Sequence, residues 1–314
     1  MNRFWTRFIK PILETAAPRR IMEVGADFGW NTRHLLAYCR ETGCRLDVVD
    51  PAPRPDLMVV LAAYDEEYSY LPHKSLDAIP RAPAPDVVLL DGDHNWHTIH
   101  AELHLLFDHA ASTGAAPPLV LMHDVAWPYA RRDMYYDPEG LRVDQRHAYA
   151  HRGLEPGRSE LLEGGMNGML ANALVEGGPK NGVLTGIEDF IRETDVELTL
   201  HVLPFFNGLG MIVPKARATP ALEALIGSFT EAPSLIETVK ALEEAHMRAR
   251  VDVAQGQAVL TRRTDALVRA RALLAERTAR IAALEAELAQ LRGAAEANAR
   301  SPDGAAAEAG DVVS

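Results

Sequence analysis

Apolar residues fall into two rhythms along this chain. Through the first 125 residues, short continuous runs alternate with stretches of helical period. The runs lie near Arg20–Val24, Leu46–Val49, Pro85–Leu90 and Pro118–Met122, and each predicts a strand. Each ends in a polar cluster: Glu23 to Gly29, then Asp50, then Asp91-Gly92-Asp93-His94, then His123-Asp124. Alternating strands and helices predict an α/β fold on a parallel sheet, in which ligands sit at the carboxyl ends of the strands. Four polar clusters therefore converge on one crevice. Before the first run, Phe4, Trp5, Phe8, Ile9, Ile12 and Leu13 form an apolar stripe interrupted by Arg7 and Lys10. It is too short and too charged for a signal peptide or a membrane span, and reads as a helix laid on the sheet.

Beyond the fourth run the rhythm is lost. Residues 127–182 are dense in Arg, Tyr, His, Asp and Gly without clean periodicity, as expected of a lid or substrate insertion. A helix follows at about Gly186–Glu193, then a strand pair, Glu197–Leu203 and Gly210–Val213, around Pro204–Gly208. From about Thr219 the chain reads as helical. Leu260, Leu267, Leu274, Ile281 and Leu288 recur every seven residues, and Leu284 and Leu291 add the three-residue offset. The corresponding earlier positions hold Arg263, Ala270 and Arg277, so the seam is well formed only near its end. The expected organisation is a domain over 1–215, a helical connector over 216–250, a coiled coil over 251–293 and a disordered tail over 294–314. The coiled coil predicts a homo-oligomer of two or three strands; a single amphipathic helix docked on its own domain is the other reading.

The first polar cluster carries the most chemistry. In IMEVGADFGWNT, Gly25 and Gly29 allow a tight turn and close approach to a ligand, and the next helix aims its N-terminus at that ligand. Asp50, 27 residues after Glu23, offers two oxygens to two ribose hydroxyls. The unit therefore fits the adenosine half of a cofactor. Its glycine spacing is G-x-x-x-G, not the G-x-G-x-x-G of a dinucleotide site, and Asp27 in the loop would repel a pyrophosphate while suiting a cationic sulfonium. S-adenosylmethionine is favoured over NAD. The other reading is an ordinary turn whose glycines serve geometry alone.

Asp91 and Asp93 at one strand tip, with His123 and Asp124 at the next, are what a hard divalent cation requires, Mg²⁺ or another ion. Asp91, His123 and Asp124 are the candidate ligands; capping of the following helices by Asp91 and Asp124 is the plainer alternative. His94, His123 and Asp93 are candidate catalytic groups, since a base must reach substrate from a strand end; either histidine equally suits an adenine-edge contact or a metal ligand. Ser75, in His73-Lys74-Ser75-Leu76-Asp77, either lines an adenine pocket or belongs to a plain loop. In the insertion, Trp127, Tyr129, Arg131, Arg132, Asp133, Tyr135 and Tyr136 combine flat rings with charge, which suits stacking on a sugar or aromatic substrate and arginine pairing to an acidic group; a self-contained salt-bridged lid is the other reading.

Composition narrows the field. The 314 residues carry a formal charge of −12, which argues against nucleic acid or an anionic membrane as the main partner. Only Cys39 and Cys44 are present, so a disulfide framework is excluded and a reducing, cytoplasmic setting is expected.

EVGADFGWNT, the VVDP strand end, DGDHNWHTIHAEL and VLMHDV together resemble class I S-adenosylmethionine-dependent methyltransferases over roughly residues 15–215. The branch they resemble has a DGDH-Y/W motif and includes macrocin-type sugar O-methyltransferases and cephalosporin hydroxylase-like proteins. The resemblance implies a Rossmann-like seven-stranded sheet closed by an antiparallel hairpin. It implies that Glu23, Gly25 and Gly29 line the methionine end, that Asp50 holds the ribose, and that Asp91 with Asp124 binds metal. His123 departs from it, since relatives carry a carboxylate there, and the insertion and coiled coil have no counterpart. The expected activity is metal-assisted O-methylation of a sugar or natural-product hydroxyl. An NAD-dependent oxidoreductase and a non-catalytic cofactor-binding scaffold are the competing classes.

Overall fold

The computed structural model describes residues 1–64, 67–230 and 233–299. Short turns over Asn2–Phe4 and Trp5–Ile9 lead into α1 (Lys10–Ala16), and four strand–helix steps and a fifth strand follow. These are β1 (Arg20–Val24), α2 (Trp30–Thr42), β2 (Arg45–Val49), α3 (Pro55–Leu61), β3 (Tyr68–Leu71), α4 (Ser75–Ala78), β4 (Val87–Leu90), α5 (Trp96–Thr113) and β5 (Leu119–His123). The insertion carries β6 (Met134–Tyr135), β7 (Tyr149–Ala150), β8 (Gly153–Glu155), β9 (Arg158–Leu162) and β10 (Ala171–Ala173). Then come α6 (Val183–Glu193), β11 (Leu198–Leu203), β12 (Leu209–Pro214), α7 (Pro220–Thr230) and α8 (Pro233–Ala299).

The main sheet has seven strands in the order β11-β12-β5-β4-β1-β2-β3, with β12 antiparallel to both neighbours and the rest parallel. This is the Rossmann-like seven-stranded arrangement that the family resemblance implies. Its strands are apolar on both faces because both faces are covered. Ile21, Leu46, Val48, Leu89 and Leu121 pack under α1, α2 and α7; Met22, Val49, Val88, Leu90 and Met122 pack under α5 and α6. That two-sided burial is why these strands read as unbroken apolar runs. The N-terminal stripe lies as expected, with Phe4, Trp5, Ile9, Ile12 and Leu13 buried.

Four features differ from the sequence reading. β3, a half-buried YSYL at the sheet edge, has no apolar run to announce it. The insertion forms two small sheets, β6-β10-β7 and β8-β9, whose strands of two to five residues are too short to show a period. A bridge between His94 and Met134 ties the first of these sheets to the loop after β4. The expected connector belongs to the domain: Leu222 and Ile226 of α7 join the core, Met247 and Val251 of α8 bury against Met166, and the first compact unit runs from Met1 to Gln255. In the second unit, from Gly256, the helix continues to Ala299, past the point where the tail was expected to begin. The remainder of that expected tail, 300–314, lies outside the described residues.

Candidate active site

The glycine loop leaves β1 at Val24 and enters α2. Gly25 has φ +84°, and its N–H donates to the Val49 carbonyl at 2.9 Å. A Cβ on Gly25 would lie 2.3 Å from the Asp91 carbonyl oxygen, so the loops after β1 and β4 touch at a point only glycine fits. Gly29, φ +74°, caps α2, and a Cβ there would press on Leu57 of α3 at 3.1 Å. Both glycines are thus required by the chain's own packing. Glu23 is buried and accepts from Asn31 Nδ2 at 2.8 Å and Thr32 Oγ1 at 2.6 Å, which binds β1 to the first turn of α2. Burial, partly offset by these two donors, pushes its carboxyl up to about 7.

Asp50 is buried at the tip of β2. Its Oδ2 accepts from the amides of Ala26 and Asp27, both at 3.0 Å, and its Oδ1 from the Ala52 amide at 2.9 Å. A carboxylate has about four acceptor sites, so one is left for a ligand where two were expected. Its first duty is to shape the glycine loop. Asp27, at φ +47°, is exposed and turns towards the Arg54 Nε at 3.4 Å. Ser75 is buried at the start of α4, close to the buried Glu102 of α5.

The tips of β4 and β5 bring four donors together. His123 Nδ1 lies 2.9 Å from Asp91 Oδ1 and 2.9 Å from Asp124 Oδ2, and His94 Nε2 lies 2.7 Å from Asp124 Oδ2 and 3.6 Å from Asp91 Oδ1. All four ligand atoms lie within 4.8 Å of one another. Asp124 adopts φ +59°, uncommon for a residue with a Cβ, and this conformation accompanies a carboxylate turned onto both imidazoles. His123 Nε2 lies 3.0 Å from the Phe206 carbonyl in the β11–β12 loop. The ammonium of Met1 lies 2.7 Å from Asp91 Oδ2.

This donor set fits a divalent cation. Neither ring nitrogen of the buried His94 has a hydrogen-bond partner, although a carboxylate oxygen is within reach of Nε2. The second ring nitrogen of His123 rests on a carbonyl, as metal-binding histidines commonly do. Two oxygens and two imidazole nitrogens suit a first-row ion such as Mn²⁺ better than Ca²⁺. Capping does not explain the acids, because Asn95 is the N-cap of α5, its Oδ1 accepting from Thr98 N at 2.9 Å. Without an ion the cluster balances two carboxylates against two imidazoles. Burial works against charge on His123, but Asp91 and then Asp124 outweigh it and raise its pKa to about 9. Burial likewise opposes charge on His94, which Asp124 outweighs, holding it well above the usual histidine range.

Asp93 is not part of the cluster. Its Oδ1 accepts from the His94 amide at 3.2 Å and its Oδ2 from Thr98 Oγ1 at 3.1 Å, so it organises the start of α5. His94, read from sequence as a catalytic group with an adenine contact or a metal ligand as alternatives, is the fourth donor of the cluster. Its i+3 spacing from Asp91 was the available signal.

The insertion divides the expected substrate contacts. Arg131 is held bidentately by Glu188 at 2.6 and 2.7 Å. Arg132 is fully buried, donating to the carbonyls of Ala173 and Ser159 and to Glu176 at 3.1 Å. The Tyr135 hydroxyl donates to Asp133 Oδ2 at 2.8 Å and accepts from the His147 amide at 2.8 Å. Arg132 and Tyr135 are spent inside the fold, so the substrate contact expected of them is corrected, whereas Arg131 and Glu188 pair at a partly exposed position. Tyr129 is buried with its hydroxyl on Asn172 and Asn167, its ring 5.8 Å from that of His94. Trp127 packs beside Met166. Tyr136 alone is 62% exposed, with its ring centre 5.8 Å from that of His94. Asp133, which the sequence grouped with these side chains, is buried and accepts from the amides of Trp96 and Gly182, both at 2.7 Å, and so locks the insertion to α5 and α6.

No protein-family model and no curated protein matches the sequence. Solved structures do. The S-adenosylhomocysteine-bound Podospora anserina methyltransferase PaMTH1 is 14% identical, with 66% of this chain and 76% of that one aligned at a TM-score of 0.41. A Burkholderia thailandensis 1,6-didemethyltoxoflavin-N1-methyltransferase is 15% identical over 65% of this chain and 78% of its own, TM-score 0.34. The N-methyltransferase NodS from Bradyrhizobium japonicum is 14% identical over 66% of this chain and 90% of its own, TM-score 0.36. The likeness is loose, and the ligands of those proteins are theirs alone.

Proposed function

We propose that this chain is an S-adenosylmethionine-dependent methyltransferase that acts on a hydroxyl of a small molecule, such as a sugar or natural product, with a divalent cation held by Asp91, His94, His123 and Asp124. The observation that carries the reading is the four-donor cluster at the tips of β4 and β5, abutting the glycine loop at Gly25. The antiparallel β12 supports it over a symmetrical dinucleotide-binding fold.

The chain's own groups divide the work. The loop from Gly25 to Gly29, shaped by Asp50 and Glu23, binds the methyl donor. Asp91, Asp124, His94 and His123 would hold the ion, and the Phe206 carbonyl fixes the His123 ring through Nε2. A bound cation supplies Lewis acidity that lowers the pKa of an acceptor oxygen. Tyr136, next to His94 at the solvent edge, offers a flat face to the acceptor. The transfer itself is an in-line displacement: the acceptor oxygen bonds the methyl carbon as the carbon–sulfur bond breaks, and its proton leaves to solvent or base.

Mn²⁺ binding followed by electron paramagnetic resonance tests the cation half. Saturable binding to the wild-type chain is expected, weakened at least about tenfold in Asp124→Asn, since a ligand carboxylate is lost. Equal binding in both would remove the metal from the account.

A further inference from the structure

Beyond Gly256, α8 carries a stripe of apolar side chains exposed along the chain. Leu260, Leu267, Leu274, Ile281, Leu284, Leu288 and Leu291 are between 47% and 67% exposed. A row of that length on one helix face marks an interaction surface. Taking the seven-residue repeat as position a, Ile281 and Leu288 occupy a, and Leu284 and Leu291 occupy d. The flanking charges then fall on g and e: Arg280 and Glu287 on g, Glu285 and Arg292 on e, all four exposed.

In a parallel, in-register pair of helices, g of one heptad faces e of the next heptad on the partner. Arg280 then meets Glu285 of the second copy, and Glu287 meets its Arg292, with both pairs repeated by the two-fold axis. We propose that this end of α8 joins a second copy of the chain as a parallel, in-register, two-stranded coiled coil, with Arg280–Arg292 as its specifying segment. One segment supplies both the apolar seam and both halves of each charge pair, which is complementarity to itself. The β-branched Ile281 at a, with leucine at d, favours two strands over three. Arg263 and Arg277 at earlier d positions keep their charged heads in water, so the tight seam is confined to the last heptads.

Light scattering on the full chain is expected to give the mass of two chains. Glu285→Arg, which turns attraction into repulsion twice per dimer, should raise the dissociation constant roughly tenfold, and adding Arg280→Glu in the same chain should restore it. Leu291→Cys should crosslink to itself on mild oxidation, since the native Cys39 and Cys44 are buried. Unchanged melting of the Met1–Gln255 unit confirms that each variant is folded. A mass of one chain, or of three, overturns the proposal. So does a Leu291→Cys chain that crosslinks only to an Ile281→Cys chain, which is the antiparallel outcome.

Discussion

Glu102 shows how a buried residue sets a pH dependence. It sits on the inner face of α5, 1% exposed, with Oε1 lacking a hydrogen-bond partner, and burial raises its carboxyl to about 8. Its folded pKa lies above the unfolded value of 4.5, so its contribution to stability is complete below pH 4.5 and is lost as the pH climbs through 8. Glu102→Gln keeps the shape without the charge. At pH 9 the variant should melt higher than wild type by a margin of about 1–3 kcal/mol, and the margin should vanish at pH 5; an equal margin at both would refute the ionisation account. At this scale the sequence spoke about residue type more than about role. Asp50 and Asp91 are legible as acids at strand tips, yet three amides occupying Asp50 follow from the turn's conformation, which pattern does not carry. Arg132 looked like a ligand for an acidic substrate, and only the chain path shows carbonyls surrounding its guanidinium.

Among the elements, those with a long apolar face were legible and those without were not. β1, β2, β4 and β5 declare themselves because both faces are buried. The hairpin of β11 and β12 does so through the glycine between its runs. The five strands of the insertion are too short to repeat anything, and their order depends on Arg132, Asn172, Asn181 and Asp133 bonding backbone groups across the segment. Replacing Arg132 by Met removes the bonds to Ala173, Ser159 and Glu176 while keeping much of the volume, at a cost of about 3 kcal/mol to the local fold. Hydrogen exchange should show lost protection over β6 and β10 with β4 unchanged. Uniform loss across the main sheet would mean that the insertion does not unfold on its own.

For the whole molecule, the sheet order brings the loops after β1, β2, β4 and β5 to one edge, and this convergence was legible because each strand ended in polar residues. Sequence leaves the part played by His94 open between base, adenine contact and ligand, because it joins Asp91 and Asp124 only once the loop folds back on itself. The heptads are equally plain in sequence, whereas their exposure is known only from α8. The central claim is that the glycine loop binds S-adenosylmethionine. Isothermal titration of the full chain with S-adenosylhomocysteine measures it most directly. Saturable binding at one site per chain is expected, weakened at least about tenfold by Asp50→Ala, with no heat from NAD. Absence of binding to S-adenosylhomocysteine, or saturable binding of NAD in its place, would contradict the account.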